Sequence, residues 1–466
     1  MGITKFIEKV CAQTAVYWGN PHPDGYGGTL YDDPVEVHCR WDEKINVVKD
    51  RDGKEVISKA RLLMDILSFP DFRSVLDLYS NCFGYIAADK YDDDIFAVVT
   101  RRNDDYLVFN KTIDGGKTWT SVQIPGEVTQ TDSPRAVTLK AVSASIFIVG
   151  FQRSDQAGDP YRIVISTDGG ATWAKAGADC GNTWSGMYQA GLDALDVNNI
   201  VVAMYAYDTD TPCIMITADG GITWIRKSFS LGDHSAVFDV HMFSTNSIYV
   251  LYEYDNLELR FAKTADGGIN WTIVTLTGAL TVNGRCALKC IDANNLLAIF
   301  SYNGVTLYKS IDAGTNWITK NVNTTAGITY CDLDAVDMDN VLVAFKDEAS
   351  NDDACVSKTD DGGDTWDGTL LASTGNIGEY IQVLSLTGNA FVIFCEDVTN
   401  TNLAFFKEFL VPVINEQGFL YLGSLDDLSS GQKVNPLTVD GACEILRVDK
   451  TPLFRSTDEF VYEVYL

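Results

Sequence analysis

The sequence predicts an all-β chain: a seven-bladed β-propeller inserted into a small β-barrel or sandwich made by its two ends. Three observations predict it. An eight-residue segment, Ser/Thr-x-Asp-Gly-Gly-x-Thr-Trp, recurs six times in full or nearly so, at 112–119, 166–173, 217–224, 264–271, 310–317 and 359–366. Its tryptophans, Trp119, Trp173, Trp224, Trp271, Trp317 and Trp366, are 54, 51, 47, 46 and 49 residues apart. A period near fifty is one four-stranded antiparallel sheet with its turns, the unit of a propeller. Third, the segments before and after the repeats carry strand patterns without the repeat, and each alone is too short to close a β core.

The recurring segment has the chemistry of a tight turn between strands. Asp114, Asp168, Asp219, Asp266, Asp312 and Asp361 can each accept backbone N–H groups of the turn, and the glycines take positive φ without steric cost. The tryptophan then leaves the turn as an apolar anchor between neighbouring sheets. Both residue sets are therefore read as structural.

A second periodicity sets the blade number. An apolar strand, usually introduced by Asn or Asp, recurs at 94–99, 145–149, 199–202, 246–251, 295–300, 340–344 and 389–394. That makes seven. The last is followed by 402–407, a third-strand pattern whose turn has lost the repeat. The seventh blade is expected to be degenerate.

The repeats resemble the Asp-box (BNR) repeats of sialidases, sortilin-type receptors, some glycoside hydrolases and a photosystem assembly factor, over about residues 70–415. The resemblance implies a propeller whose boxes lie between third and fourth strands, away from the ligand face. It does not imply one function.

The ends are read in order. Residues 3–14 form an amphipathic helix pattern, with Ile3, Phe6, Ile7 and Val10 on one face. A strand follows over 13–18, then a turn-rich loop over 19–28. Val35–Trp41 alternates as a half-buried strand should, and 45–48 with 55–63 flank a hairpin turn at Asp50–Gly53. At the other end, 418–423, 443–448 and 460–466 read as strands, with a polar connection over 424–440. Joined, residues 1–67 and 416–466 supply enough strands for one small domain, interrupted by a propeller over 68–415. Insertions succeed at exposed hairpin tips.

The segments Arg40-Trp-Asp-Glu-Lys44, Val47 to Arg61, Gly418-Phe-Leu-Tyr-Leu-Gly423 and Tyr462-Glu-Val-Tyr-Leu466 resemble, in order and pattern, the strands and hairpin of a tailed-phage head-closure (stopper) protein. The departure is an insertion of about 350 residues where that family has a short loop. The resemblance implies a homo-oligomeric neck ring between portal or adaptor and tail proteins, with DNA passing unread, and location in the virion after synthesis in the host cytoplasm.

Composition agrees with a protein that does not grip DNA. The chain has 466 residues, with 35 Lys and Arg against 64 Asp and Glu, a formal charge of −29. Such a surface repels nucleic acid. It serves solubility, or forms a wall past which DNA moves. There is no long apolar run and no leader pattern at Met1, so the chain is expected to stay in the cytoplasm or leave by lysis. Eleven cysteines without a CxxC read as buried free thiols.

Catalytic signatures are sparse. Arg162-Ile163 is followed by Val164, not by the proline of a sialidase Arg-Ile-Pro. Arg101, Arg102, Arg135, Arg153 and Arg285 fall near expected loops, without a pattern that groups three of them. His22, His38, His234 and His241 have no metal spacing. No catalytic residue, metal or cofactor is assigned. The expected ligand face, built by loops joining second to third strands and fourth strands to the next blade, carries Trp184, Tyr188, Tyr207, His234, Tyr254, Tyr302, Tyr330 and Tyr380. Aromatic faces stack on sugar rings; the bland alternative is that they cap a channel. The function expected is thus a structural virion protein with an outward propeller able to bind glycans or other surfaces. The alternatives are a glycoside hydrolase or sialidase-like enzyme, and a non-viral propeller scaffold.

Overall fold

The computed structural model describes residues 82–407, apart from short segments (103, 117, 125–133, 154–159, 183–188, 207–210, 230–237, 255–257, 278–284, 302–303, 324–327, 349–352, 373–375, 387–390 and 399–401), together with the strands of the flanking segments. The chain divides into two compact units, Met1–Pro70 with Phe409–Leu466, and Asp71–Glu408.

The second unit is the seven-bladed propeller. Each blade is a four-stranded antiparallel meander, and blade 2 adds a two-residue strand, Gly181–Asn182. The innermost strands are Cys82–Lys90, Arg135–Ala141, Gly191–Ala194, Phe238–Met242, Cys286–Cys290, Ile328–Ala335 and Ile377–Ser385. Each approaches the next, and the seventh returns to the first. Second strands such as Ile200–Ala206 and Phe391–Asp397 are buried along their whole length. Sheets cover them on both sides, which is why they read as unbroken apolar runs. The degenerate seventh blade is completed from elsewhere. Its fourth strand is Ser74–Val75, which pairs with Ala404 and Phe405. A strand from before the first blade thus closes the ring, and the local sequence carries no signal for it.

Six boxes fold alike. In the second, the Ser166 hydroxyl donates to Asp168 (2.9 Å) and accepts the Gly170 N–H (2.8 Å), while Asp168 accepts the N–H and hydroxyl of Thr172 (2.9 and 2.6 Å). These bonds hold the Asp168 carboxyl down at about 2, and Asp219, Asp266 and Asp312 likewise. The first box glycine donates to the turn between the first and second strands, as Gly169 does to Ser145 O (2.8 Å). Both turns therefore lie at one end of the propeller. Lysines staple successive blades there: Lys111 reaches Ala144 O (2.8 Å), and Lys309 reaches Met338 O and Gly362 O (2.7 and 2.8 Å).

The box tryptophans sit between blades, as Trp173 does against Phe109 (5.0 Å between centroids) and Trp317 against Phe261 (5.2 Å). Trp119, Trp173, Trp271 and Trp317 donate their indole N–H to the carbonyl three residues back. The Trp366 Nε1 is buried without a hydrogen-bond partner. Trp173→Phe should consequently cost about 1 kcal/mol more than Trp366→Phe, since only the first breaks a bond. Urea melts of the two variants measure the difference, and equal losses would refute it.

Both terminal segments contribute to one seven-stranded antiparallel sheet in the first unit, in the order Cys443–Glu444, Phe419–Leu422, Gln13–Trp18, Val35–Asp42, Arg61–Met64, Phe460–Tyr465, Arg447–Pro452. Tyr17 faces Leu420, and Leu63 faces Glu463. Three sequence readings are corrected. The run 55–63 is two strands, Glu55–Ser58 and Arg61–Met64; the first pairs with Asn46–Lys49 and the second with the sheet. The run 443–448 is likewise two strands, Cys443–Glu444 and Arg447–Pro452. The loop over 19–28 contains His22–Pro23, which pairs with Thr29–Leu30. The helix expected over 3–14 lies outside the described residues, save Gln13 and Thr14, which open a strand. The connection 424–440 lies outside them too.

Among the described residues, Cys180, Cys286, Cys290 and Cys331 are free thiols. Cys180, Cys213, Cys286, Cys290, Cys331 and Cys395 are buried, and Cys355 is half-buried. Burial pushes the Cys331 thiol up to about 12. Among the described residues, no helix is long and apolar enough to cross a membrane.

Candidate binding site at the channel mouth

A four-stranded meander puts the start of its first strand at the end opposite its third-to-fourth turn. The starts of the innermost strands thus define the end away from the boxes. There, four of those strands are irregular. Between the Cys82–Arg102 and Ile86–Thr100 pairs, Phe83, Gly84 and Tyr85 face Arg101 alone. Thr329 and Tyr330 face only Lys346, and Tyr380 and Ile381 face only Cys395. Ala136 and Val137 face Phe151 in the same way. Such bulges bend a strand and re-aim a side chain. Three of the four carry a tyrosine. Tyr85 and Tyr380 are held at φ of 52° and 51°, a region costly for residues with a Cβ.

The bulges bring the tyrosines together. The Tyr380 ring lies 4.9 Å from Tyr85 and 5.0 Å from Tyr330. The Arg285 guanidinium sits 5.2 Å from the Tyr330 centroid and 5.9 Å from that of Tyr380. Gly84 admits the cluster: a Cβ there would come within 3.1 Å of the Tyr380 ring. Behind it lie buried carboxyls. Burial pushes Glu396 up to about 7, and the neighbouring Glu379 adds to that; Lys346 pairs with Glu379 at 3.2 Å. Burial also pushes Glu253 up to about 7, and neither of its oxygens has a hydrogen-bond partner.

The mouth opens into a central cavity of about 370 Å³. Adjacent innermost strands splay too far to pair, so their edge N–H groups need other acceptors. Carboxylates from the neighbouring blade supply them. Asp89 accepts Ala141 N–H (2.8 Å), Asp193 accepts Met242 N–H (2.8 Å), Asp239 accepts Leu288 N–H (2.7 Å), and Asp332 and Asp334 accept Val383 and Ser385 N–H (2.8 and 2.7 Å). Near the box end, two lysines and a histidine join this belt. Lys140 bridges Asp193 (2.9 Å) and Asp89 (3.9 Å), His241 Nδ1 lies 3.2 Å from Asp193, and Lys289 pairs with Asp334. Burial opposes ionisation of Asp193 and Asp334, but Lys140 and Lys289 outweigh it and hold both low. Asp239 and Asp332, halfway along, have no such partner, and burial pushes them up to about 6 and about 7.

Of the aromatic residues expected on the ligand face, the structure brings Tyr330 and Tyr380 together. Tyr254 ends the strand Ile248–Tyr254, its side chain outside the described residues. Trp184, Tyr188, Tyr207, His234 and Tyr302 also lie outside them. Tyr330 and Tyr380, expected on loops, lie instead at bulges in the first strands Ile328–Ala335 and Ile377–Ser385, and sequence reading missed Tyr85 at the matching bulge of Cys82–Lys90. It missed the carboxylate belt too, whose signal is an Asp on alternate positions of innermost strands, as in Asp332-Leu-Asp334. Of the arginines it left ungrouped, Arg102 bonds Asp104, Arg101 bonds Asp105 and lies 5.9 Å from the Tyr85 ring centroid, and Arg285 lies against Tyr330 and Tyr380. Among the described residues, no group of three or more His, Cys, Asp or Glu could hold a metal ion.

No family model matches the chain, and no curated protein matches it. Solved structures do. The BP39L lectin from Burkholderia pseudomallei is 11% identical over 69% of this chain and 94% of its own, with a TM-score of 0.52. YCF48 from Cyanidioschyzon merolae is 15% identical over 71% and 96%, at 0.46. The GH74 enzyme of Niastella koreensis is 13% identical over 74% and 70%, at 0.37. This chain shares its propeller fold with the BP39L lectin.

Proposed function

We propose that this chain is a non-enzymatic structural protein whose propeller binds a carbohydrate at the Tyr85–Tyr330–Tyr380–Arg285 mouth. Its terminal β domain builds it into a homo-oligomeric ring, the head-to-tail neck of a tailed-phage particle. The observation that carries the binding reading is the set of bulges. They force two tyrosines into a strained backbone, and a fold spends strain where a surface has a task. Half-buried aromatic rings beside an arginine suit the apolar face and hydroxyls of a sugar. The shared sheet of the two terminal segments supports the inserted-propeller arrangement, and the stopper-like strand order supports the ring. The fold shared with a lectin agrees with the carbohydrate.

The reading is tested by probing a glycan array with the purified chain. Tyr330→Ala and Arg285→Ala should each weaken binding at least tenfold, while Asp168→Ala, at the opposite end, should lower the melting temperature and leave binding intact. Retained binding in both mouth variants would refute the site. A reconstruction of the particle that places the chain away from the portal would refute the neck.

A second reading, a glycoside-cleaving enzyme, is favoured by Glu253 and Glu396, whose carboxyls stay protonated to about pH 7 as a general acid must. Release of reducing sugar by the wild type and its loss in Glu396→Gln would favour it.

A further inference from the structure

We infer that the channel is an end-on socket: one terminal ring of a neutral glycan passes the three tyrosines and is held midway by Asp239 and Asp332. The inference rests on the carbohydrate reading and narrows it to chain ends.

The strand Ile328–Ala335 shows the layering. Tyr330, Asp332 and Asp334 follow one another along it, and all three line the cavity. Two residues of strand rise about 7 Å, so Asp332 lies about the depth of one sugar ring below the tyrosine and the same distance above Asp334. Asp239 takes the corresponding level two residues before His241, and it also lines the cavity. Below that level, the bridge Asp89–Lys140–Asp193–His241 and the pair Lys289–Asp334 narrow the channel. The cavity, about 370 Å³, is at the small end of ligand sites (about 300–1,000 Å³). A chain lying across the mouth would meet only the tyrosines; a chain end can use the depth.

The walls favour an uncharged guest. Five aspartates line the cavity against Lys90, Lys140, Arg285 and Lys289, so its field selects neither sign strongly. Each oxygen of Asp239 accepts one backbone N–H, from Val240 (2.8 Å) and Leu288 (2.7 Å), and keeps a second lone pair for a hydroxyl. Asp332 accepts Val383 N–H in the same manner. Where the two carboxyls keep their protons, each also has an O–H to donate. That suits hydroxyls, which donate and accept.

The test uses the full chain and an array of neutral oligosaccharides. Each terminal ring is shown on several internal sequences, with a parallel set whose terminal ring is capped by O-methylation. Signals should sort by the terminal ring, and capping should weaken them at least tenfold. Asp332→Asn and Asp239→Asn, which keep side-chain shape but leave one oxygen to accept, should weaken binding at least tenfold, with circular dichroism showing that each variant still folds. If one variant does not fold, the other and the capped set decide. Signals that follow internal sequence, survive capping, or survive both substitutions overturn the socket and leave the carbohydrate reading standing. No neutral glycan bound overturns both.

Discussion

Gly170→Ala should destabilise the protein by about 3 kcal/mol, more than the same substitution at Gly169, the adjacent glycine of the same turn. Both take positive φ, 78° at Gly169 and 93° at Gly170, so each pays about 1 kcal/mol for a Cβ. They differ in what that Cβ meets. At Gly169 the nearest atom is the Lys111 Nζ at 3.1 Å, the end of a flexible side chain. At Gly170 it would lie 2.1 Å from the Phe109 ring of the preceding blade. Phe109 is buried and packed edge-on against Phe147 and Trp173, so it has nowhere to go, and overpacking adds about 1–3 kcal/mol. Gly314 faces Phe261 at 2.2 Å in the same way, and Gly314→Ala should behave alike. Urea denaturation of the paired variants checks this. Equal losses at Gly169 and Gly170 would show that turn conformation alone, not contact between blades, sets the cost.

Stability should fall as pH rises from about 5 to about 8. Asp239, Asp332, Glu253 and Glu396 are raised by burial to about 6, 7, 7 and 7. The unfolded chain releases these protons near pH 4, and the folded protein keeps them to pH 6–7. Between the two the folded state binds more protons, so each step up in pH favours unfolding, and the loss levels off above pH 7. The total is on the order of a few kcal/mol, since one pKa unit corresponds to about 1.4 kcal/mol and the channel relaxes. Mutual repulsion within a chain of net charge −29 acts in the same direction. The box aspartates and the ion-paired Asp193 and Asp334 are shifted down, and their contribution is lost only below about pH 4. The urea midpoint should therefore be higher at pH 5.5 than at pH 8. Glu253→Gln removes one titrating group and should flatten that slope by up to one proton. A midpoint that rises toward pH 8 would contradict the assignment of these carboxyls.

The propeller was legible in the sequence because its signals are local. A box is eight residues whose hydroxyl, carboxylate, glycines and indole find one another within the same turn, as Ser166, Asp168, Gly170 and Trp173 do. Seven buried second strands carry their burial in their own composition. The mouth was legible only in part. Tyr330 and Tyr380 were readable as aromatic residues near loops. Tyr85 was not, because nothing in Cys82–Lys90 announces a bulge that turns it toward a ring almost 300 residues away.

By itself, then, the sequence determined what a single turn or strand can decide: the repeat, the blade number and the apolar run of each second strand. Tertiary structure alone decided what requires two distant segments to meet. Ser74–Val75 becomes the fourth strand of a blade whose other strands end at Lys407. Asp89, Asp193, Asp239, Asp332 and Asp334 become acceptors for a neighbouring blade instead of surface charges. Three tyrosines and Arg285 become one site. The physical reason is the closure of the ring, which brings the first innermost strand beside the last and puts into one channel groups that local pattern leaves fifty to three hundred residues apart.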